Sequence, residues 1–363
     1  MQGLNALARD IADRVLPHMI AVPRKERDDD RQETFVIDED AVPVDGVTLA
    51  RSWFGRRALL NPEHLFADFK EERCGLWLPK MYESTRKAGL TVTPVASLHD
   101  LAGVRQQAFK DAISHDDEIV ITLRVPNAVV DEPDIKDRLL RSLEDVGVDC
   151  ARCLVLLDFT DADFSQSEIV SGVIENAYER MEMAGRWYAI AFEGTSYPVK
   201  NRAPHGGEIL EPRNEWKAWR LAMHYEENTP EHIVFGDYAA DCARMLFGKM
   251  GAAAIRHHRY TTDQDTWYNV RGTEMGSIQP VMRDVCRRIA NSAYYAGRGF
   301  SWADDQIHKI ALEGGSAGAP KDWRAVNTNH HITRVVRDLG GIRGIVFGDR
   351  TVAPSREQLE MFS

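Results

Sequence analysis

The side chains most able to do chemistry follow short apolar runs of the sequence. Asp158 closes the run LVLLD, Glu193 follows WYAIAF, and Asp237 stands in FGDY. A charge that ends an apolar run is costly unless it finds a partner, so Asp158 is the leading carboxylate. Carboxylates grouped in this way can form an acid/base pair or bind a divalent cation. Other polar side chains hold the same position after further runs: Arg24, Asn61, Arg124, Tyr238, Arg256 and His258.

The segment NTNHH places a second polar group closer to the C-terminus. Either Asn327 or Asn329 caps a helix that begins there, or Asn329 and His330 contact a ligand directly. Neighbouring residues on a helix point about 100° apart, so His330 and His331 do not suit one metal ion as an i, i+4 pair would. Both roles stay open, and no ligand spacing in the chain specifies a metal.

Eight apolar runs of strand length alternate with segments of helix length, which predicts parallel strands joined by crossover helices. Eight runs, and no ninth, suit closure into a single (β/α)8 barrel better than an open sheet. The carboxyl ends of barrel strands meet at one mouth, so the polar residues at those ends should converge there. The predicted strands cover residues 15–22, 57–60, 90–95, 118–125, 152–159, 187–192, 232–235 and 252–260.

Amphipathic spacing predicts helices over residues 131–146, 165–185 and 213–225, between the strands. After the eighth strand, further helices are predicted over 278–296 and 302–312 and within 322–339. We therefore expect one barrel domain with extra C-terminal helices over residues 1–345. Residues 346–363 are expected to form a C-terminal tail.

Composition limits the classes of function. The 363 residues carry a net charge of −11, which argues against nucleic-acid binding by the whole surface. No run approaches about eighteen apolar residues and no secretory signal begins the chain, so we expect a cytoplasmic protein without a membrane span. Five scattered cysteines fit reduced thiols, and Cys150 and Cys153 lack the further ligands of a zinc site. Phosphate-loop, serine-esterase and zinc-protease motifs are absent, and the sequence indicates no particular cofactor.

The end of the chain resembles a docking peptide. Residues 358–362 read QLEMF, which is similar to the pentapeptide by which bacterial proteins bind the replicative sliding clamp. In that peptide the glutamine comes first and hydrophobic residues at its end fill a pocket. The alternative is an ordinary amphipathic tail. The residues that would contact the clamp are Gln358, Leu359, Met361 and Phe362.

Through most of its length the chain resembles the beta protein family, named after a protein of T-even phage and found widely in bacteria. The matching segments, in order, are WFGRRALLN (53–61), LTVTPV (90–95), LVLLDF (154–159), PRNEWKAW (212–219), FGDYAAD (235–241), RYTTDQDTWYNVRG (259–272), FSWADDQI (300–307) and WRAVNTNHH (323–331). Two departures weaken a metal site. The end of the first strand reads AVPRKERD where the family has a Glu, and Asn61 stands where an Asp is common.

The resemblance implies an association with phage–host conflict and defence loci, sometimes beside a small nuclease-like protein. The first hypothesis is therefore a protein of a multi-protein antiphage system whose barrel mouth binds a ligand or a partner protein. The alternative is a hydrolase of phosphodiesters or nucleotides that uses Asp158, Glu193 and Asp237 as acid/base or metal-binding groups. A purely structural, oligomeric role would leave the polar mouth unexplained. In the hydrolase, the phosphate contacts would be Arg124, Arg256 and Arg271.

Overall fold

The computed structural model describes residues 2–22, 41–243 and 256–350. Within them the strands are β1 (His18–Ile20), β2 (Arg57–Asn61), β3 (Thr91–Ser97), β4 (Ile121–Pro126), β5 (Cys153–Asp158), β6 (Ala189–Glu193), β7 (Glu208–Pro212), β8 (Ile233–Gly236), β9 (His257–Thr261) and β10 (Thr266–Arg271). The helices are α1 (Gln2–Asn5), α2 (Arg9–Ala12), α3 (Asp45–Ala50), α4 (Leu65–Phe69), α5 (Cys74–Lys87), α6 (Gln106–Ala112), α7 (Ile135–Val146), α8 (Ser167–Ala184), α9 (Asn214–Met223), α10 (Ile278–Ala290), α11 (Trp302–Leu312) and α12 (Pro320–Ile342). None of these helices is long and apolar enough to cross a membrane.

The chain divides into two units. The parallel-sheet unit comprises Leu16–Tyr197 and Asn214–Ala253, and the hairpin unit comprises Met1–Val15, Pro198–Arg213 and Ala254–Ser363. The boundary between a domain over residues 1–345 and a tail over 346–363 stays a prediction.

The parallel-sheet unit contains seven parallel strands in the order β1, β2, β3, β4, β5, β6, β8. These strands lie within or overlap the first seven predicted runs, and the mixed α/β class is confirmed. Every residue of β5 is buried, as expected of a strand covered on both faces. The complete eight-stranded barrel is not confirmed. In the part of the chain that the structure describes, the order runs from β1 to β8 without a pairing that closes the ring.

Helix α7 shows how the helices cover this sheet. Its buried residues are Ile135, Leu139, Leu143 and Val146, whose three- and four-residue spacing forms one apolar stripe. The helix ends at Gly147, which adopts a left-handed conformation with φ 74°. Glycine takes this conformation without the steric cost of a Cβ, so the predicted end of the helix is confirmed.

The seven-stranded sheet is curled into a half-barrel. His18 on β1 hydrogen bonds to Glu193 on β6, although four strands separate them in the order of pairing. Such a contact requires the sheet to bend around a concave face. An apolar cluster fills that face, and its members come from successive strands or the segments beside them: Leu16, Leu59, Val95, Ile119, Leu154, Leu156, Ala189 and Ala191.

The eighth predicted strand belongs to the hairpin unit, so this prediction is wrong in its placement. Residues 252–255 lie outside the described residues, and β9 pairs antiparallel with β10. Side chains along β9 alternate between half-buried and buried positions before its buried last residue, Thr261. Such alternation is typical of an antiparallel strand with one covered face, whereas a barrel strand is apolar throughout. The strand order of this sheet is β7, β10, β9.

Helix α12 changes the interpretation of NTNHH. The helix begins at Pro320, so Asn327 and Asn329 lie well inside it and cap nothing. Asn329 is fully buried and holds two other segments of the hairpin unit. Its amide donates to the Gly3 carbonyl at 2.9 Å, and its oxygen accepts from the Ala303 N–H at 3.1 Å. A Cβ at Gly3 would lie 2.7 Å from the Ala325 carbonyl oxygen. The close approach of α1 to α12 therefore requires glycine at position 3.

A buried hydrogen-bond network joins α11, α12 and β9. Asp304 is fully buried, and its carboxylate lies 2.9 Å from His330 Nδ1 and 2.6 Å from the Tyr260 hydroxyl. His330 Nε2 lies 2.8 Å from the Thr261 carbonyl oxygen. Nε2 donates to this carbonyl, and Nδ1 shares a hydrogen bond with the Asp304 carboxyl group. The Tyr260 ring stacks on His330 with 3.8 Å between the ring centroids.

His258 gives the hairpin unit a predictable response to acid. Its Nδ1 donates to Asn327 Oδ1 at 2.8 Å, and burial lowers its pKa from the ordinary 6.5 to about 4, against the effect of that hydrogen bond. The unfolded chain therefore takes up this proton first as the pH falls. The contribution to stability is complete above pH 6.5 and is lost towards pH 4, by about 3 kcal/mol.

His258→Asn should remove this dependence, because it keeps an N–H donor for Asn327 and does not titrate. We expect the difference in unfolding free energy between pH 7 and pH 4, measured with urea, to be about 3 kcal/mol smaller in His258→Asn than in the wild type. The exposed His115→Asn should retain the wild-type dependence. Equal pH profiles for the wild type and His258→Asn would contradict the assignment.

Candidate functional site

Strand alternation sets which side chains meet at the carboxyl end of the concave face. In the parallel register Leu154 pairs with Ala189, and Asp158 pairs with Glu193. Paired residues share a face, and so do residues two apart, so Asp158 and Glu193 extend the face that Leu154 begins. Arg124 pairs with Leu156 and joins the same face. The polar residues therefore form a layer above the apolar cluster.

Arg124 is the centre of this layer. Its Nε and Nη2 donate to Asp158 Oδ2 at 2.9 and 2.7 Å, and its Nη1 donates to Glu63. Asn61, at the end of β2, donates to Glu63 Oε2 at 3.2 Å, and its own oxygen accepts from the Glu63 N–H at 3.0 Å. Burial alone would lower the pKa of Arg124, but the charges of Asp158 and Glu63 outweigh it and hold this pKa above its ordinary value.

The hydrogen-bond chain continues from Asp158 to β8. Asp158 Oδ1 accepts from the Thr160 N–H at 2.9 Å and from the Thr160 hydroxyl. The Tyr238 hydroxyl lies 2.8 Å from Thr160 Oγ1, and it must donate because the Thr160 proton is used on Asp158. Burial, followed by the negative charge of Glu193, raises the pKa of Tyr238 well above its ordinary value. The phenol therefore keeps its proton at neutral pH.

A second pair crosses the concave face. His18 Nδ1 lies 2.8 and 3.1 Å from the two oxygens of Glu193, and the two side chains are only 9% and 7% exposed. His18 Nε2 is buried and has no hydrogen-bond partner among the described residues. The Thr122 hydroxyl on β4 is also buried and has no hydrogen-bond partner among the described residues. Thr122 pairs in register with Leu154, so it lies on the concave face. Buried polar atoms usually have a partner, so these two atoms are candidates for contact with a ligand.

The structure brings four of the predicted site residues into one layer: Arg124, Asp158, Glu193 and Tyr238. Asp237 lies at the end of β8, where its Oδ1 accepts from the Ala239 N–H at 2.9 Å and orders the following turn. Asn61 also joins the layer, as a buried partner of Glu63. Arg24 and the four tail residues, Gln358, Leu359, Met361 and Phe362, lie outside the described residues.

The other predicted residues belong to the hairpin unit, because the eighth strand is not part of the parallel sheet. Arg256 donates to the Gly276 carbonyl at 2.8 Å, and Arg271 contacts the Ala203 carbonyl at 3.2 Å and His205 at 2.9 Å. His258, Asn329 and His330 are buried in the structural contacts described above. Their grouping with Asp158 at one barrel mouth stays a prediction.

Sequence reasoning missed three members of the layer. Glu63 lies two residues after β2. It belongs to the layer because its carboxylate accepts a hydrogen bond from Arg124, a contact that the local sequence does not indicate. Thr160 lies two residues after Asp158, and an aspartate side chain often accepts a hydrogen bond from the backbone N–H two residues later. This spacing could have identified Thr160 from the sequence. His18 is the polar residue inside the apolar run VLPHMIAV, where a polar side chain needs a buried partner. That partner, Glu193, is 175 residues away.

The layer has more negative than positive charge. Three carboxylates, on Glu63, Asp158 and Glu193, face one guanidinium, on Arg124, whose three nitrogens already donate to Asp158 and Glu63. Such a surface suits a ligand that supplies hydrogen-bond donors or positive charge more than it suits a phosphate. Across residues 2–22, 41–243 and 256–350, no group of three or more His, Cys, Asp or Glu side chains is arranged to hold a metal ion.

These features define a mixed α/β protein whose curled parallel sheet ends in a buried, ion-paired polar layer. Within that class, the chain belongs to the Beta protein family, whose model matches residues 1–337. Comparison with curated proteins gave no match, and neither did comparison with solved structures.

Arg124→Met should show how strongly the layer depends on its one guanidinium. The substitution leaves the buried Asp158 carboxylate without its cation, so we expect the free energy of unfolding to fall by about 3 kcal/mol in urea. The matched control is Arg57→Met, since Arg57 pairs with Glu118, whose side chain is 71% exposed. That loss should stay below about 1 kcal/mol.

The double variant Arg124→Met, Asp158→Leu removes both charges together and should recover most of the lost stability. Equal losses in Arg124→Met and Arg57→Met would show that the pair contributes no more than a surface contact.

Proposed function

We propose that the protein is a phage-defence-associated binding protein, acting within a multi-protein antiphage system. Its ligand or partner protein docks at the carboxyl end of the concave face of the parallel sheet. The observation that carries the proposal is the connected layer from Tyr238 through Thr160, Asp158 and Arg124 to Glu63. Membership of the Beta protein family supports the defence role, because the resemblance to that family implies association with defence loci.

The layer is suited to recognition because its side chains are held before any ligand arrives. Arg124 is fixed by two carboxylates, and Asp158 is fixed by the guanidinium and by Thr160. Side chains with few alternative rotamers lose little entropy when a ligand binds, which raises affinity. A chain drawn from β2, β4, β5 and β8 also gives the ligand contacts of defined geometry.

Hydrolysis of phosphodiesters or nucleotides, the alternative, has less support. An acid/base residue needs an oxygen free to exchange a proton with the substrate, but both Asp158 oxygens already accept from Thr160 or Arg124. The proposed phosphate contacts Arg256 and Arg271 belong to the hairpin unit and bind carbonyl groups there. The remaining cation, Arg124, is neutralised by Asp158 and Glu63.

Phage protection tests the layer directly. Asp158→Asn removes the charge that orients Arg124, and Asp237→Ala removes the side chain that orders the turn beside Tyr238. In plaque assays, both variants should protect no better than cells without the protein, while thermal melting shows a folded chain. Asp161→Asn, an exposed change in the loop after β5, should protect as the wild type does. Full protection by both Asp158→Asn and Asp237→Ala would contradict the proposed site.

A partner protein is the second part of the proposal, either a neighbouring nuclease-like protein or the sliding clamp bound through residues 358–362. The clamp can be tested by pull-down with the full chain and with a chain ending at Arg356. The full chain should recover the clamp and the shortened chain should not. Equal recovery by both chains, or none by either, would contradict a role for the tail.

A further inference from the structure

The polar layer contains a histidine whose outer nitrogen has no partner in the part of the chain that the structure describes. His18 Nε2 has almost no solvent contact, and the whole side chain is 91% buried. Leaving such an atom without a hydrogen bond destabilises the folded protein, and a ligand that bonds to it would remove that cost. His18 pairs in register with Leu59, which places it on the concave face.

Glu193 decides what this nitrogen can do. Both oxygens of its carboxylate lie within 3.1 Å of His18 Nδ1, so Nδ1 carries a proton and donates it. In a neutral imidazole the other nitrogen is then an unprotonated acceptor. A carboxylate behind the ring also makes the free nitrogen a better acceptor, as it does for metal-bound histidines.

The charges around His18 limit what can approach it. Glu193 is its direct neighbour, and Tyr238 is close enough to Glu193 for that charge to raise its pKa. Asp158 and Glu63 add two further carboxylates to the layer, against Arg124 alone. An anion would meet net repulsion in a region of low dielectric, where repulsion is strongest.

We infer that His18 Nε2 accepts a hydrogen bond from the ligand, and that this ligand carries no negative charge and bears hydroxyl or amino groups. The inference rests on the proposed function and names the ligand class of the same site. Among the described residues, the Thr122 hydroxyl on this face is also buried without a hydrogen-bond partner, and it can pair with another ligand group. The carboxylates should weaken the binding of a phosphorylated compound by repelling its negative charge.

Nitrogen NMR of the full chain labelled with 15N-histidine gives a direct readout of Nε2. At pH 7 the wild type should show one buried ring with a protonated Nδ1 and an unprotonated Nε2, and His18→Asn should delete that signal. The uncharged probes are ribose and adenosine. Each has a charged counterpart that differs only by a phosphate, ribose 5-phosphate and adenosine 5′-monophosphate. We expect at least one uncharged probe to move the Nε2 resonance saturably, and its phosphate to bind about tenfold more weakly or less.

Two variants separate the acceptor from the surrounding charge. His18→Asn keeps an N–H where Nδ1 donates to Glu193 but has nothing at Nε2, so calorimetry should show about tenfold weaker binding of the uncharged probe. Glu193→Gln keeps an acceptor for Nδ1 but removes one negative charge. The difference in affinity between the uncharged probe and its phosphate should therefore be smaller than in the wild type. The exposed His99→Asn should bind as the wild type does. Thermal melting confirms that each variant is folded.

The inference would be overturned if neither uncharged probe bound to the protein, or if the phosphates bound as tightly as the uncharged probes. The plaque assay separates this failure from failure of the proposed function. Protection that is lost in Asp158→Asn but intact in His18→Asn would leave the site standing and remove His18 from it. Loss in both variants, with probe binding that depends on Nε2, supports both conclusions.

Discussion

The alternation of side chains along parallel strands decides most of what this protein presents to other molecules. Residues in register share a face, so a carboxylate that ends β5 and one that ends β6 reach the concave face together. Neither carboxylate is stable there without a partner. Arg124 and His18 supply those partners from β4 and β1, and the curl of the sheet makes the second contact possible. The polar layer follows from this constraint.

Much of the parallel sheet is predictable because its signals are local. Continuous burial of β5 follows from a run that is apolar up to its last residue, Asp158, and the end of α7 follows from one glycine. The polar ends of strands could also be named in advance, since parallel strands must place them at one edge. Arg124, Asp158 and Glu193 were found in this way. Over residues 257–261, half-buried and buried side chains alternate, which favours an antiparallel strand. Counting this segment as an eighth barrel strand overlooked that signal.

What the sequence could not supply are the contacts between distant residues. Glu63 and Arg124 meet across 61 positions, and His18 and Glu193 meet across 175. The same holds in the hairpin unit, where Asp304 and His330 lie on different helices and Tyr260 lies on a strand. Three of the most distinctive sequence segments meet in that network, which shows that distinctive residues can serve a buried core rather than a site.

The hairpin unit is assembled from three separate stretches of the chain, and Asn329 bonds to Gly3 across 326 positions. During synthesis, the parallel-sheet unit is complete once residue 253 has left the ribosome, whereas the first fifteen residues still lack their partners on α12. Domains generally fold as units in the order in which they emerge. The short helices α1 and α2 therefore cannot reach their final contacts until α12 has been translated, although they are the first part of the chain to be made.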